Sequence, residues 1–314
     1  MKSLLTYQFP SAGLAPASGR EEVLRILLYF DIFHYPLTAA EIRQYLAEPT
    51  AEADLDSWIQ HLTDQQEVFL HNGFYSVQNN PLLALRRKQG NERAEKLLVK
   101  GLRIGRFLYQ FPFVKAIGIS GSLSKNYADE KADIDFFVIT SSNRLWLART
   151  IMHLYKKLTF ITGRQHYFCM NYYVDEKALE LDEKNIFTAI EIKTLLPVQG
   201  QATLQSFNNL NEWADSWLPG FAPRIQVTAD RHDNWFKRFV QWLWNGKTGN
   251  RLDDFLMRTT QRRWDKKQKL GKRNVKGLPM DLDTGKHFAR SNPGAFREKV
   301  LQAYHDKLKQ YHLA

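Results

Sequence analysis

The stretch Ala116-Ile-Gly-Ile-Ser-Gly-Ser122, followed after ten intervening residues by Asp133-Ile-Asp-Phe-Phe-Val-Ile139, decides how the rest of this chain is read. Its first half is a short apolar run ending in Gly-Ser. Its second half opens on two carboxylates around one isoleucine and continues as an apolar run of strand length. Residues two apart on a strand share a face, so Asp133 and Asp135 are expected to project together while Ile134 points away. Two hard oxygen donors suit Mg²⁺, which usually takes one or two carboxylates and completes its octahedron with water and phosphate. Gly121 lets the backbone approach an anion and Ser122 brings a hydroxyl to it. Lys125 and the amides of the same turn can cradle a triphosphate. Phosphoryl and nucleotidyl transfer ask mostly for such positioning and charge neutralisation.

Gly121-Ser122, ten residues, then Asp133-Ile134-Asp135 resembles the signature of the DNA polymerase β-type nucleotidyltransferase superfamily, over about residues 116–140. The resemblance implies a small mixed sheet with flanking helices and a nucleoside triphosphate held at Gly121 and Ser122. It also implies paired Mg²⁺ ions, or Mn²⁺ in their place, on Asp133 and Asp135. Members of the superfamily transfer a nucleotidyl group to a hydroxyl, a phosphate or a related acceptor. They usually carry a third carboxylate on a following strand, where it shares the catalytic metal and helps deprotonate the attacking group. The next strand candidate here is 166–174, and its equivalent position holds Asn171, an amide that can ligate but cannot act as a base. Asp175, Glu176, Glu180 and Glu191 lie downstream; any of them can swing into the site, Glu191 from a helix over 186–196, although the ordinary expectation for each is a solvated charge. Two classes follow: a nucleotidyltransferase with an unread acceptor, or a nucleotide-sensing regulatory protein with weakened catalysis.

The chain has 314 residues, 44% of them hydrophobic, enough for a sizeable core and two or three domains. No apolar run approaches a membrane span and no signal-like apolar region precedes Pro10, so a cytoplasmic location is expected. The single cysteine, Cys169, excludes an intrachain disulfide and a Cys-rich zinc site, and its apolar neighbours suggest packing. A net charge of +11 favours phosphate-bearing partners: nucleotides, RNA, DNA or anionic lipid surfaces, with a tilt toward an RNA acceptor. Residues 251–276 hold ten Lys and Arg against Asp253, Asp254 and Asp265, a net charge of +7 that reads equally as an anion-binding segment or a solvated helix face.

The expected fold class is α+β, in four parts. Residues 1–80 read as a winged-helix-like domain: helices over 22–33, 39–46 and 54–63, the second with Thr38 and Glu41 as a capping box, then a hairpin around Asn72-Gly73. DNA binding by it is not expected, because the third helix carries Glu52, Asp54, Asp56 and Asp64 with no cation. Residues 81–111 form a connecting helix, broken or kinked near Gly90, with a solvated basic face that includes Arg86 and Arg87. Residues 112–200 form the catalytic domain, with a covering helix over 143–160 that has Arg144 and Arg149 at its edges. Residues 201–314 form a helical domain whose tryptophans are expected in its core, with a long loop over 272–293 from which His287 and Arg290 are candidates for the cleft.

Overall fold

The capping box forms: Glu41 N–H donates to Thr38 Oγ1 at 3.2 Å and Thr38 N–H donates to Glu41 Oε2 at 2.9 Å. It opens helix α2 (Ala39–Tyr45), which packs with α1 (Gly19–Asp31) and α3 (Glu52–Asp64). Strands β1 (Phe69–His71) and β2 (Phe74–Ser76) close on Asn72 and Gly73, both at positive φ, the conformation a two-residue hairpin of the primed type requires. These elements belong to a computed structural model that describes residues 18–159, 167–222, 224, 229–273, 282–291 and 293–313.

The connecting segment is one uninterrupted helix, α4 (Pro81–Leu108), rather than a helix broken at Gly90. A Cβ at Gly90 would lie 2.2 Å from the Tyr127 ring, so the glycine admits that ring against the helix. Arg87, expected on a solvated face, is 2% exposed. Its guanidinium donates to Glu41 Oε1 at 2.6 Å, to Pro36 O at 2.8 Å and to Asn91 Oδ1 at 2.8 Å, and lies 3.8 Å from the Tyr35 ring centroid. It joins α4 to the N-terminal helices.

The central sheet is mixed, six-stranded among the described residues. It orders β6 (Leu196–Gln199), β3 (Val114–Ser120), β4 (Asp135–Thr140), β5 (Cys169–Asp175), β8 (Phe288–Ser291) and β7 (Leu282–Thr284). β4 and β5 are parallel and are joined through α6 (Leu145–Thr159), as a parallel pair requires; the other pairings are antiparallel. Period-two alternation gives the sheet two apolar faces. Ile117, Ile119, Phe136, Val138 and Tyr173 pack with residues of α4 and α6. Ala116, Phe137, Ile139 and Val174 pack with α7 (Ile186–Thr194) and α8 (Gln201–Leu210).

Three expectations are corrected by this topology. Asp133 precedes β4 rather than lying in it, because the strand ladder with β3 begins at the Ser120–Asp135 pair. The segment 272–293 is not a loop throughout: its described end is the β7–β8 hairpin, which pairs with β5 and carries the sheet past residue 200. Gly277, Pro279 and Asp281 lie outside the described residues, as do Phe160 and His166. The tryptophans of the C-terminal region are not all core, since Trp235 and Trp242 are exposed.

Two further helices, α9 (Trp235–Trp244) and α10 (Lys247–Lys269), form a pair against α6. Arg144, buried at the start of α6, donates to Trp244 O at 2.9 Å and Gly246 O at 3.0 Å; Asp253, fully buried, accepts from Leu147 N–H at 2.9 Å. The last helix, α11 (Pro293–Gln310), returns to α1, where Tyr304 meets Tyr29 edge to face and Lys307 Nζ lies 2.6 Å from Asp31 Oδ2. Among the described residues, no helix is long and apolar enough to cross a membrane.

Candidate functional site

The end of β3 and the start of β4 lie side by side, and this register makes the site. Ser120 pairs with Asp135, so the chain turns at Gly121 directly over the Asp135 carboxylate. Gly121 sits at φ +69°, and a Cβ there would fall 2.8 Å from Asp135 Oδ2, so glycine is required both by its conformation and by the carboxylate beside it. The turn leads into the short helix α5 (Gly121–Ser124), where Ser122 is exposed and Ser124 Oγ donates to Gly121 O at 2.8 Å.

On the other side of Asp135, strand β5 contributes Asn171. The β4–β5 register pairs Phe136 with Met170 but Phe137 with Tyr172, which leaves Asn171 as the extra residue of a bulge. Asn171 Nδ2 donates to Asp135 Oδ1 at 2.7 Å, and Cys169 Sγ donates to Asn171 Oδ1 at 3.2 Å. Burial, then the charge of Asp135 and further that of Asp133, push the Cys169 thiol up to about 11. Asp135 is in the strand beside the thiol, and Asp133 precedes it.

Lys125 is placed on the opposite flank of the Gly121 turn. Its ammonium donates to Gly121 O at 3.2 Å and to Glu191 Oε1 at 2.7 Å, while Gly121 N–H donates to Glu191 Oε2 at 3.4 Å. Glu191, expected as a solvated charge, instead reaches from α7 to the backbone amide and the cation assigned to phosphate. Its signal was present in the sequence: it is the one carboxylate in the apolar helix 186–194. Two groups that the sequence did not suggest fix the turn from outside. The Tyr35 hydroxyl donates to Lys125 O, and Arg224 Nη1 donates to Ser124 O at 2.5 Å and to Thr194 O at 3.1 Å. Burial raises the Tyr35 phenol far above its ordinary range and keeps it a donor.

The remaining candidates lie elsewhere. His287 Nδ1 is 2.8 Å from Asp175 Oδ2, at the far end of β5 from Cys169, so the β8 pairing draws it away from Asp135. Arg290 is an ion-pair partner of Glu183. His287 and Arg290 are thus each engaged with a carboxylate outside the Gly121 turn.

No protein-family model, curated protein or solved structure matches this chain. Among the described residues no group of three or more His, Cys, Asp or Glu is arranged to hold a metal ion. Asp133 and Asp135 are nevertheless hard oxygen donors of the kind that Mg²⁺ or Mn²⁺ commonly takes from protein. Rotation of the Asn171 amide by half a turn exchanges Oδ1 for Nδ2 and would offer a third oxygen, since the two assignments are interchangeable on shape. The donor types, two carboxylates and an amide, suit such a cation.

The thiol offers a check on this geometry. Cys169 is expected to resist alkylation at neutral pH, and an Asp133→Asn/Asp135→Asn variant, which removes the negative charges that disfavour thiolate, should react several-fold faster. A thiol titration giving equal rates would show that the two carboxylates do not share its pocket.

Proposed function

We propose that this chain is a Mg²⁺-dependent nucleotidyltransferase of the DNA polymerase β type, moving a nucleoside monophosphate from a triphosphate to an acceptor with release of pyrophosphate. The supporting observation is the Gly121 turn seated against the Asp135 carboxylate. In this reading residues 1–80 are a winged-helix-like docking domain, 81–111 connect it, 112–200 are catalytic and 201–314 are a C-terminal, mostly helical part that adds the β7–β8 hairpin to the sheet.

Asp133 and Asp135 would hold the cation, with Asn171 as an additional ligand. When bound, the cation supplies charge neutralisation to the phosphates and lowers the barrier to displacement at the α-phosphorus. Gly121 N–H and the exposed Ser122 hydroxyl bind β- and γ-phosphate oxygens, and Lys125 offsets charge on the departing pyrophosphate. The acceptor oxygen attacks the α-phosphorus in line and the bond to the β-phosphate oxygen breaks. Its proton passes to a carboxylate of the Asp pair, since the Asn171 amide cannot take it.

Glu191 competes with the triphosphate for Gly121 N–H and Lys125. Glu191→Gln removes that negative charge and is expected to lower the KM for nucleoside triphosphate about tenfold, with a smaller effect on kcat. An unchanged or raised KM in steady-state assays would assign Glu191 a supporting role instead. The same contact, together with Asn171, favours a second reading: a nucleotide-sensing regulatory protein in which Glu191 is the displaced anion and transfer is vestigial.

The reaction itself is tested by incubating the full-length protein with each triphosphate labelled at the α-phosphate, Mg²⁺ or Mn²⁺, total RNA and cell extract. Label fixed to RNA, protein or a small molecule by the wild type but not by the Asp133→Asn/Asp135→Asn variant is the expected result. Metal-dependent triphosphate binding without transfer would favour the regulatory reading.

A further inference from the structure

Helix α9 presents its most apolar stripe to solvent. Trp235, Phe236, Phe239, Trp242 and Leu243 are all exposed, with Trp235 and Trp242 at 78% and 77%. At 3.6 residues per turn these five side chains fall within about a third of the helix circumference. The opposite side is the packed one, where Val240 and Trp244 join Phe113, Leu147 and Ala148. Trp235 neighbours Phe236 edge to face, and Phe239 neighbours Trp242, so the stripe carries two aromatic pairs.

The adjoining helix carries its own stripe. Arg251, Phe255, Arg258, Arg262, Lys266 and Lys269 recur at helical spacing and are exposed, while Leu252 and Leu256 turn inward onto the same cluster as Val240 and Trp244. Both helices thus turn their outer faces away from the body of the protein. The posture is fixed by Arg144, which holds the turn between them, and by buried Asp253.

We propose that the outer faces of α9 and α10 dock on an anionic lipid bilayer. A helix lying in the membrane interface combines a Trp-, Phe- and Leu-bearing face with cations that meet acidic headgroups, and these two helices divide the two requirements between them. A second copy of the chain is disfavoured as the occupant, because a face-to-face pair would bring two basic stripes together. Nucleic acid is disfavoured on α9, because base stacking uses rings interleaved with phosphate-binding cations, whereas the rings there adjoin one another; the cation stripe of α10 holds one ring, Phe255. The surface is independent of the nucleotide site and does not rest on its assignment.

The test is co-sedimentation of the full-length protein with phosphatidylcholine–phosphatidylserine vesicles and with phosphatidylcholine vesicles alone. The wild type should bind the anionic vesicles, release them as salt is raised, and show tryptophan quenching by brominated acyl chains. Trp235→Ser/Trp242→Ser, at exposed positions and checked by melting temperature, should lose about tenfold in partitioning. Arg262→Glu/Lys266→Glu should lose the preference for phosphatidylserine by a similar factor, about tenfold for two cations near the surface. Failure of the wild type to bind anionic vesicles overturns the proposal. So does an RNA gel shift abolished by the tryptophan variant, or a dimer in light scattering that this variant converts to monomer.

Discussion

Asp135→Asn is expected to lower the rate of nucleotidyl transfer about 10³-fold, because on the proposed function it loses a carboxylate that would hold the metal, and with it several kcal/mol of transition-state stabilisation. The substitution keeps the shape of the side chain, so the strand and the Gly121 turn stay in place and the melting temperature changes little. Asp133→Asn should act in the same direction. Asp135 lies within the strand, under the Gly121 turn, and accepts from Asn171, whereas Asp133 lies ahead of the strand, so the effect of the first substitution should be the larger. Equal activity of wild type and Asp135→Asn in the transfer assay would remove Asp135 from the chemistry.

Arg87→Met should be the most damaging change away from the site. The arginine is buried, bound to Glu41, Pro36 O and Asn91, and stacked on Tyr35. Removing one partner of a buried pair costs roughly 3–5 kcal/mol, and the lower end applies because Glu41 keeps partial contact with water. Thermal unfolding should therefore shift down by roughly 6 °C for a chain of this size. Tyr35 also holds the carbonyl of Lys125, so the transfer rate should fall as the turn loosens. A Glu41→Gln partner variant should show coupling to Arg87→Met of about 1–3 kcal/mol in a double-mutant cycle. A melting temperature within a degree of wild type would contradict the clamp.

The parts of the fold that were legible in the sequence are those specified by local chemistry. Thr38 and Glu41 announce a helix start, Asn72-Gly73 a hairpin, and the apolar runs on either side of Gly121 and Asp133 a pair of strands. The juxtaposition of Gly121 with Asp135 follows from those strands pairing antiparallel, which period-two spacing allows but does not demand. What escaped the sequence depends on partners distant along the chain. Glu191 was one carboxylate among several until α7 carried it to Lys125, and Arg87 was one cation among many until α2 packed on α4. The β7 and β8 strands are three and four residues long, too short for a periodic signal, and gain their place only by pairing with β5. Asn171 was singled out as the position equivalent to the third carboxylate that the superfamily resemblance implies, but its bulge depends on the register with β4.

The most direct measurement uses two samples of one nucleoside triphosphate, labelled at the α- or at the γ-phosphate, with wild-type protein, divalent metal and the acceptor fraction. Nucleotidyl transfer places the α label on the acceptor and the γ label in released pyrophosphate, both lost in the Asp133→Asn/Asp135→Asn variant. Transfer of the γ label to the acceptor, or release of neither label while triphosphate still binds, would contradict a nucleotidyltransferase.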